Sequence, residues 1–449
     1  MSQRSQFALF GTRRFLPFFV TQALAAFNDN VYKQALILAI LFKLGVAGDK
    51  SLLVNLCALL FILPFFLFSA LGGQLGEKYP KDRLIRLLKA SEIGILIVGA
   101  LGLLTGNLPV MLAVLFLMGL QAALFGPVKY SILPQHIARE ELVGGNAMVE
   151  MGTFLAILAG TIAAGIMLGS EHYAAVVACA VLLVAVLAYL SSRLIPAAPA
   201  AYPELKIDRN PFRQTGSILA LGLRQQHKSV SRALIGNAWF WFMGAVYLTQ
   251  IPAYAKDYLH GDETVVTLIL TVFSIGIALG SVLCEKLSGR RVEMGLVPLG
   301  AIGLTLFCVL IYWATQTVPP QEAPYGWLAL LEVWQAWVSL GCVLGLGVFG
   351  GIYIVPLYAL IQSRTPAEQR SRVIAANNIL NALFMVVSAI VAILVLTVLQ
   401  RPIPELFLLA GLLNLAVNGF LFRSVPEFTL RFKAWLQGQP IEADTAESS

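Results

Sequence analysis

The chain has 449 residues, 58% of them hydrophobic and 12% charged, with a formal net charge of +7. Soluble domains are about one quarter charged, so this composition and a mean hydropathy of +0.79 exclude that class. The apolar runs are long and continuous, which excludes an outer-membrane barrel of short alternating strands and indicates a polytopic α-helical membrane protein.

The first run, residues 15–43, is long enough to cross a hydrocarbon core about 30 Å thick. Phe27-Asn28-Asp29-Asn30-Val31-Tyr32-Lys33 interrupts it near mid-height. An aspartate there costs roughly 2.5–3.5 kcal/mol, so Asp29 is expected to face a partner or a wet cavity. Asp29 and Lys33 are four apart and share a helix face, where they can pair. Asn28 and Asn30 widen the polar patch beyond what one ion pair needs, which favours a cavity-lining site for a polar or zwitterionic group. The run follows Arg13-Arg14 but is too long, and lacks the cleavage site, for a signal peptide.

Further spans are expected at 51–76, 84–105, 108–135, 143–169 and 172–195, then at 232–256, 263–287, 292–316, 336–362, 371–399 and 404–423. The fold class is therefore all-α membrane protein, with twelve transmembrane helices in two six-helix halves. The expected domains are 1–195, a linker 196–231, 232–424, and a tail 425–449. In the fourth span Lys129 and Tyr130 follow Gly126-Pro127, where a helix can bend and expose carbonyls. In the fifth, Asn146 and Glu150 share a face, and a Lys129–Glu150 interaction is expected. The second half carries amides and aromatics instead: Asn237, Trp239, Trp241, Tyr247, Gln250, Asn377, Asn378 and Asn381. Trp327, Trp334 and Trp337, ahead of the tenth span, read as an interfacial aromatic belt.

Most of the 31 Lys and Arg lie in the termini, the linker and the loops after even-numbered spans. The positive-inside rule then makes both termini and the linker cytoplasmic, and the basic balance is a topology signal. No aromatic-interleaved basic patch supports nucleic-acid binding. The five cysteines all lie in apolar runs without ligand spacing, so neither a metal nor a cofactor is expected. Gly345-Leu346-Gly347-Val348-Phe349-Gly350 follows no strand and reads as close helix packing, with Gly276/Gly280 and Gly341/Gly345 as small-residue pairs. His136 and Glu141 fit the acyltransferase His-x4-Asp element poorly, and no Walker A sequence is present, so no enzyme is expected.

The halves echo each other. Leu75-Gly76-Glu77-Lys78 closes span two and Leu283-Cys284-Glu285-Lys286 closes span eight; Gly126-Pro127 is matched by Val355-Pro356. Two such halves are the organisation of the major facilitator superfamily. Gly73, Glu77, Lys78 and Arg83 resemble its signature loop and, with Glu285 and Lys286 of the second half, are expected to serve gating or conformational change. Phe27-Asn28-Asp29-Asn30, Pro127-Val128-Lys129-Tyr130-Ser131-Ile132-Leu133, Asn146 to Glu150, and Val355-Pro356-Leu357 with Leu360-Ile361-Gln362 together resemble the bacterial lysophospholipid transporters of that superfamily.

The resemblance implies a flippase for lysophospholipids, chiefly lysophosphatidylethanolamine. It would move them from the outer to the inner leaflet of the bacterial inner membrane by alternating access, for reacylation. An acyltransferase/acyl-carrier-protein synthetase would be a separate functional partner, the chain ending here in a short acidic tail. The expected substrate-binding set is Asp29, Asn30, Lys33, Lys129, Tyr130, Asn146, Glu150, Trp239, Asn377 and Asn381. Some relatives carry an arginine in span seven, whereas Ala245 to Ile251 has none. A proton-coupled transporter for a drug or small nutrient is the alternative.

Overall fold

A computed structural model describes residues 6–45, 50–208, 210–315, 318–319 and 323–438. Among them are twelve long helices: α1 (Leu16–Phe42), α2 (Lys50–Lys78), α3 (Lys81–Thr105), α4 (Leu108–Ser131), α5 (Leu142–Leu168), α6 (Tyr173–Ser192), α7 (Lys228–Tyr258), α8 (Glu263–Leu287), α9 (Leu296–Ala314), α10 (Trp334–Arg364), α11 (Arg370–Ile393) and α12 (Ile403–Ser424). Ten are apolar throughout a membrane-length window. The two that are not are α1 and α7, the first helix of each half, and α1 is the one interrupted by Asn28 to Lys33.

Local chemistry explains most boundaries. α4 stops at Ser131, and Pro134 opens a separate turn at Leu133–His136, so the fourth span is shorter than its apolar run. Asn107 caps α4 by accepting from the Val110 amide, and Asp262 caps α8 by accepting from Thr264 and Val265. The polar linker contains a helix, Pro211–Leu223, capped by Asn210, and another runs Glu427–Leu436 in the tail. Trp327–Leu331 forms a short helix ahead of α10; Trp327, Trp334 and Trp337 are all exposed, as an aromatic belt requires.

The chain divides into two compact units. The first comprises Met1–Arg139, Gly152–Arg224 and Arg364–Ala382; the second comprises Glu140–Met151, Gln225–Ser363 and Leu383–Ser449. Both α5 and α11 are therefore shared, each contributing its first part to one unit and its remainder to the other.

The core of the first unit is built on Tyr32, Leu36, Leu96, Met111, Leu115 and Val181, from α1, α3, α4 and α6. Small residues set the helix approach: a Cβ on Gly119 would lie 2.5 Å from the Phe61 carbonyl oxygen, and one on Gly160 2.5 Å from that of Phe27. In the second unit α8 and α10 cross through Gly276, Gly280, Gly347 and Gly351, and a Cβ on Gly276 would be 2.6 Å from the Leu344 oxygen. The expected Gly276/Gly280 pair thus packs at the crossing. Gly341/Gly345 does not: Gly345 faces Phe307 of α9 and Gly341 faces open space, because the α10 surface turned toward α8 carries 347 and 351.

Candidate functional site

In the first unit, Asp29 is partly buried on α1. Its carboxylate makes no hydrogen bond and no ion pair among the described residues. The Asp29–Lys33 pair that the spacing allows is not formed. Lys33 instead sets its ammonium 5.2 Å from the Phe61 ring centroid. Asn30 turns its amide back onto its own helix, donating to the Ala26 oxygen at 2.8 Å. Glu92, Lys89, Lys33 and Lys129 act on Asp29 electrostatically, Glu92 most strongly.

Glu92 and Lys89 were not anticipated as site residues. They form a fully buried ion pair on α3, Nζ to Oε2 at 2.6 Å. Glu92 Oε2 also accepts from Gln121 of α4 at 3.2 Å, and Oε1 accepts from Asn28 of α1 at 3.1 Å. Asn28 donates in addition to the Val181 carbonyl of α6 at 3.1 Å. Four helices are thereby tied together one residue from Asp29. Lys89 also lies 4.6 Å from the Phe125 ring centroid. The signal available in sequence was two charges three apart inside the apolar run that starts at Leu84.

Lys129 is buried and donates to Thr153 Oγ1 at 2.9 Å, and Thr153 donates in turn to Gln22 Oε1 at 2.9 Å. This chain joins α4 and α5 to α1. Tyr130 is buried beside it. Lys129 and Glu150, paired in the sequence reading, belong to different compact units. In the second unit Glu150 is buried, and Asn146 exchanges two amide hydrogen bonds with Gln362 of α10, at 2.6 and 3.0 Å.

The remaining expected residues lie in two places. Asn377 and Asn381 are buried on the α11 segment of the first unit, where Asn378 packs directly over Gly126 of α4. Trp239 of α7, in the second unit, donates its indole N–H to Asn414 Oδ1 at 2.8 Å and stacks on Phe242. Asn414 donates to the Ala301 oxygen and to Thr305, each at 2.9 Å, and Asn418 donates to Asn414. Tyr353 donates to Asn418 at 2.9 Å. The α12 asparagines, absent from the sequence reading, make Trp239 part of a buried network linking α7, α9, α10 and α12.

The signature loop is held inside the first unit. Glu77 is fully buried; it accepts from the Arg372 backbone amide at 3.1 Å and forms an ion pair with the Arg372 guanidinium. Gly73 permits the approach, since a Cβ there would lie 2.7 Å from that of Ala375. Ser371 also donates to Ser131 at 2.9 Å. Lys78 donates to the Leu205 oxygen of the linker at 2.9 Å, while Arg83 is exposed. In the second unit the buried Glu285 lies 3.6 Å from Arg290, and Lys286 is exposed.

Twelve long helices, with charged and amide side chains buried among α1, α3 and α4, define a polytopic helical membrane protein with a polar interior. The profile of the Major Facilitator Superfamily matches residues 18–389 and 233–434, and the chain belongs to that family. Similar curated proteins include the lysophospholipid transporter LplT of Serratia proteamaculans, 26% identical over 79% of this chain and 81% of the relative. LplT of Klebsiella pneumoniae is 28% identical over 76% of this chain and 78% of its own. Among solved structures, a major facilitator transporter, FucP, in the outward conformation aligns with a TM-score of 0.67 at 12% identity, over 92% of this chain and 99% of its own. A bacterial homologue of the iron transporter ferroportin aligns with a TM-score of 0.62 at 16% identity, over 94% and 99%. These two share the fold.

Proposed function

We propose that the chain carries lysophospholipids, chiefly lysophosphatidylethanolamine, from the outer to the inner leaflet of the bacterial inner membrane by alternating access, with both termini cytoplasmic. The observation that supports it best is Asp29: a partly buried carboxylate, not hydrogen-bonded among the described residues, with Glu92, Lys89, Lys33 and Lys129 within electrostatic reach. A zwitterion on a single acyl tail needs both signs of charge close together in an otherwise apolar channel. Asp29 attracts the ammonium, and Lys129 with Lys33 takes the phosphate. Lys89 serves differently, since Glu92 already holds it. The acyl chain lies along apolar helix surface, and reacylation falls to a separate acyltransferase/acyl-carrier-protein synthetase. The names of the LplT relatives support the substrate class.

Spheroplasts loaded with labelled lysophosphatidylethanolamine test this. Asp29→Asn is expected to reduce inward movement at least tenfold at equal protein level. Unchanged movement removes Asp29 from the mechanism. Movement that collapses with the proton gradient, and that added lysolipid does not compete, replaces the reading with proton-coupled transport of another substrate.

A further inference from the structure

At the signature-loop end of the first unit lies a cavity of about 140 Å³ that shares no residue with the Asp29 region. Its polar walls are Gln74 of α2, Lys206 and Asp208 of the linker, Gln214 and Ser217 of the linker helix, and Arg372 at the start of α11. A single water needs only about 10–15 Å³, so the space admits a group of phosphate size.

The hydrogen-bonding capacity of these walls is lopsided. Gln214 is 3% exposed, lines the cavity, and its side-chain amide has no hydrogen bond among the described residues. Gln74 uses its oxygen to accept from the Asp208 amide at 2.9 Å, which leaves its own N–H₂ with no partner among the described residues. Arg372 commits Nε to Glu77 and Nη2 to the Glu368 oxygen, leaving Nη1 over. Lys206 and Ser217 are exposed at the rim. The one carboxylate in the wall, Asp208, is already taken by Arg213 and by the Asn210 amide. With Asp208 paired to Arg213 and Arg372 paired to Glu77, Lys206 is the remaining cation, and it stands beside the N–H groups left over on Gln74, Gln214 and Arg372, a donor-rich set that suits an oxyanion.

The geometry points to a phosphate-binding site here, at which a phosphate group joins the linker, through Lys206 and Gln214, to Gln74 of α2 and Arg372 of α11. The group comes either from an anionic phospholipid headgroup or from free inorganic phosphate. Bound phosphate adds a tie between the linker helix and the α11 segment that Glu77 already holds.

The test uses the full chain purified in dodecyl maltoside, a micelle without phosphate, with thermal unfolding followed by tryptophan fluorescence. One arm titrates inorganic phosphate against chloride at constant ionic strength; the other adds phosphatidylglycerol without inorganic phosphate. The site predicts a saturable rise of the unfolding midpoint in at least one arm. The apparent affinity falls at least tenfold in both Gln214→Leu and Lys206→Gln, the second being an exposed position that leaves folding intact. The arm that responds identifies the source. A midpoint that neither additive moves saturably, or a response that survives in either variant, overturns the site.

Discussion

Glu92 accepts hydrogen bonds from Lys89, Gln121 and Asn28 while fully buried, so its charge is matched on every side. Removing one partner of such a pair leaves an uncompensated buried charge, at a cost of about 3–5 kcal/mol, whereas replacing both by apolar groups is often close to neutral. Glu92→Ala is therefore expected to lower the unfolding midpoint in detergent by several degrees, and Lys89→Met/Glu92→Leu to lower it less than the single change. A double variant as unstable as Glu92→Ala would refute the pairing argument. Asp29 was legible in the sequence because asparagines surround it in an apolar run. Lys89 and Glu92 were not, since a lysine one turn inside a span start reads equally well as a boundary charge. Spacing along a helix shows which residues share a face; it does not show which neighbour that face meets.

Among the helices, the crossing of α8 and α10 depends on backbone approaching backbone. A Cβ on Gly280 would collide with the Val348 carbonyl, while one on Gly94 of α3 meets nothing within 4 Å. Overpacking of this kind costs about 1–3 kcal/mol. Gly280→Ala should lower the unfolding midpoint and Gly94→Ala should leave it in place; equal midpoints would mean that the crossing is not tight. Which glycines matter was only half legible. The pattern at 276 and 280 marks a packing stripe, but α10 offers several glycines at helical spacing, and rotation of that helix selects 347 and 351 over 341 and 345.

The start of α8 gives a pH prediction. Asp262 is held below the usual carboxylate range, first by the hydroxyl of Thr264 and then by the amides of Thr264 and Val265. Because its folded value is the depressed one, the cap contributes fully above about pH 4 and is lost as pH falls through the folded value. Protection of the Thr264 and Val265 amides from hydrogen exchange should drop below that pH in the native chain. In Asp262→Asn it should stay level, and a matching drop there would assign the effect elsewhere.

For the whole molecule, the basic residues forecast the sidedness of the loops. With Cys179, the one exposed native cysteine, replaced by serine, Lys256→Cys should react with an impermeant maleimide in intact cells. Arg224→Cys in the linker should react only after the membrane is opened; labelling of Arg224→Cys in intact cells would invert the topology. The twelve helices and the superfamily were legible because apolar length and charge placement are properties of the chain in lipid, needing no tertiary partner. So was the polar mid-section of α1, since the bilayer makes any charge there conspicuous. Only the tertiary structure decided what that charge meets: it left Asp29 without a hydrogen-bonded partner among the described residues, paired Glu92 with Lys89, and drew Trp239 into a network with Asn414. It also divided α5 and α11 between two compact units. Hydropathy determines that a helix must be buried in lipid, whereas side-chain packing determines its rotation and neighbours, and those contacts join residues far apart in the chain.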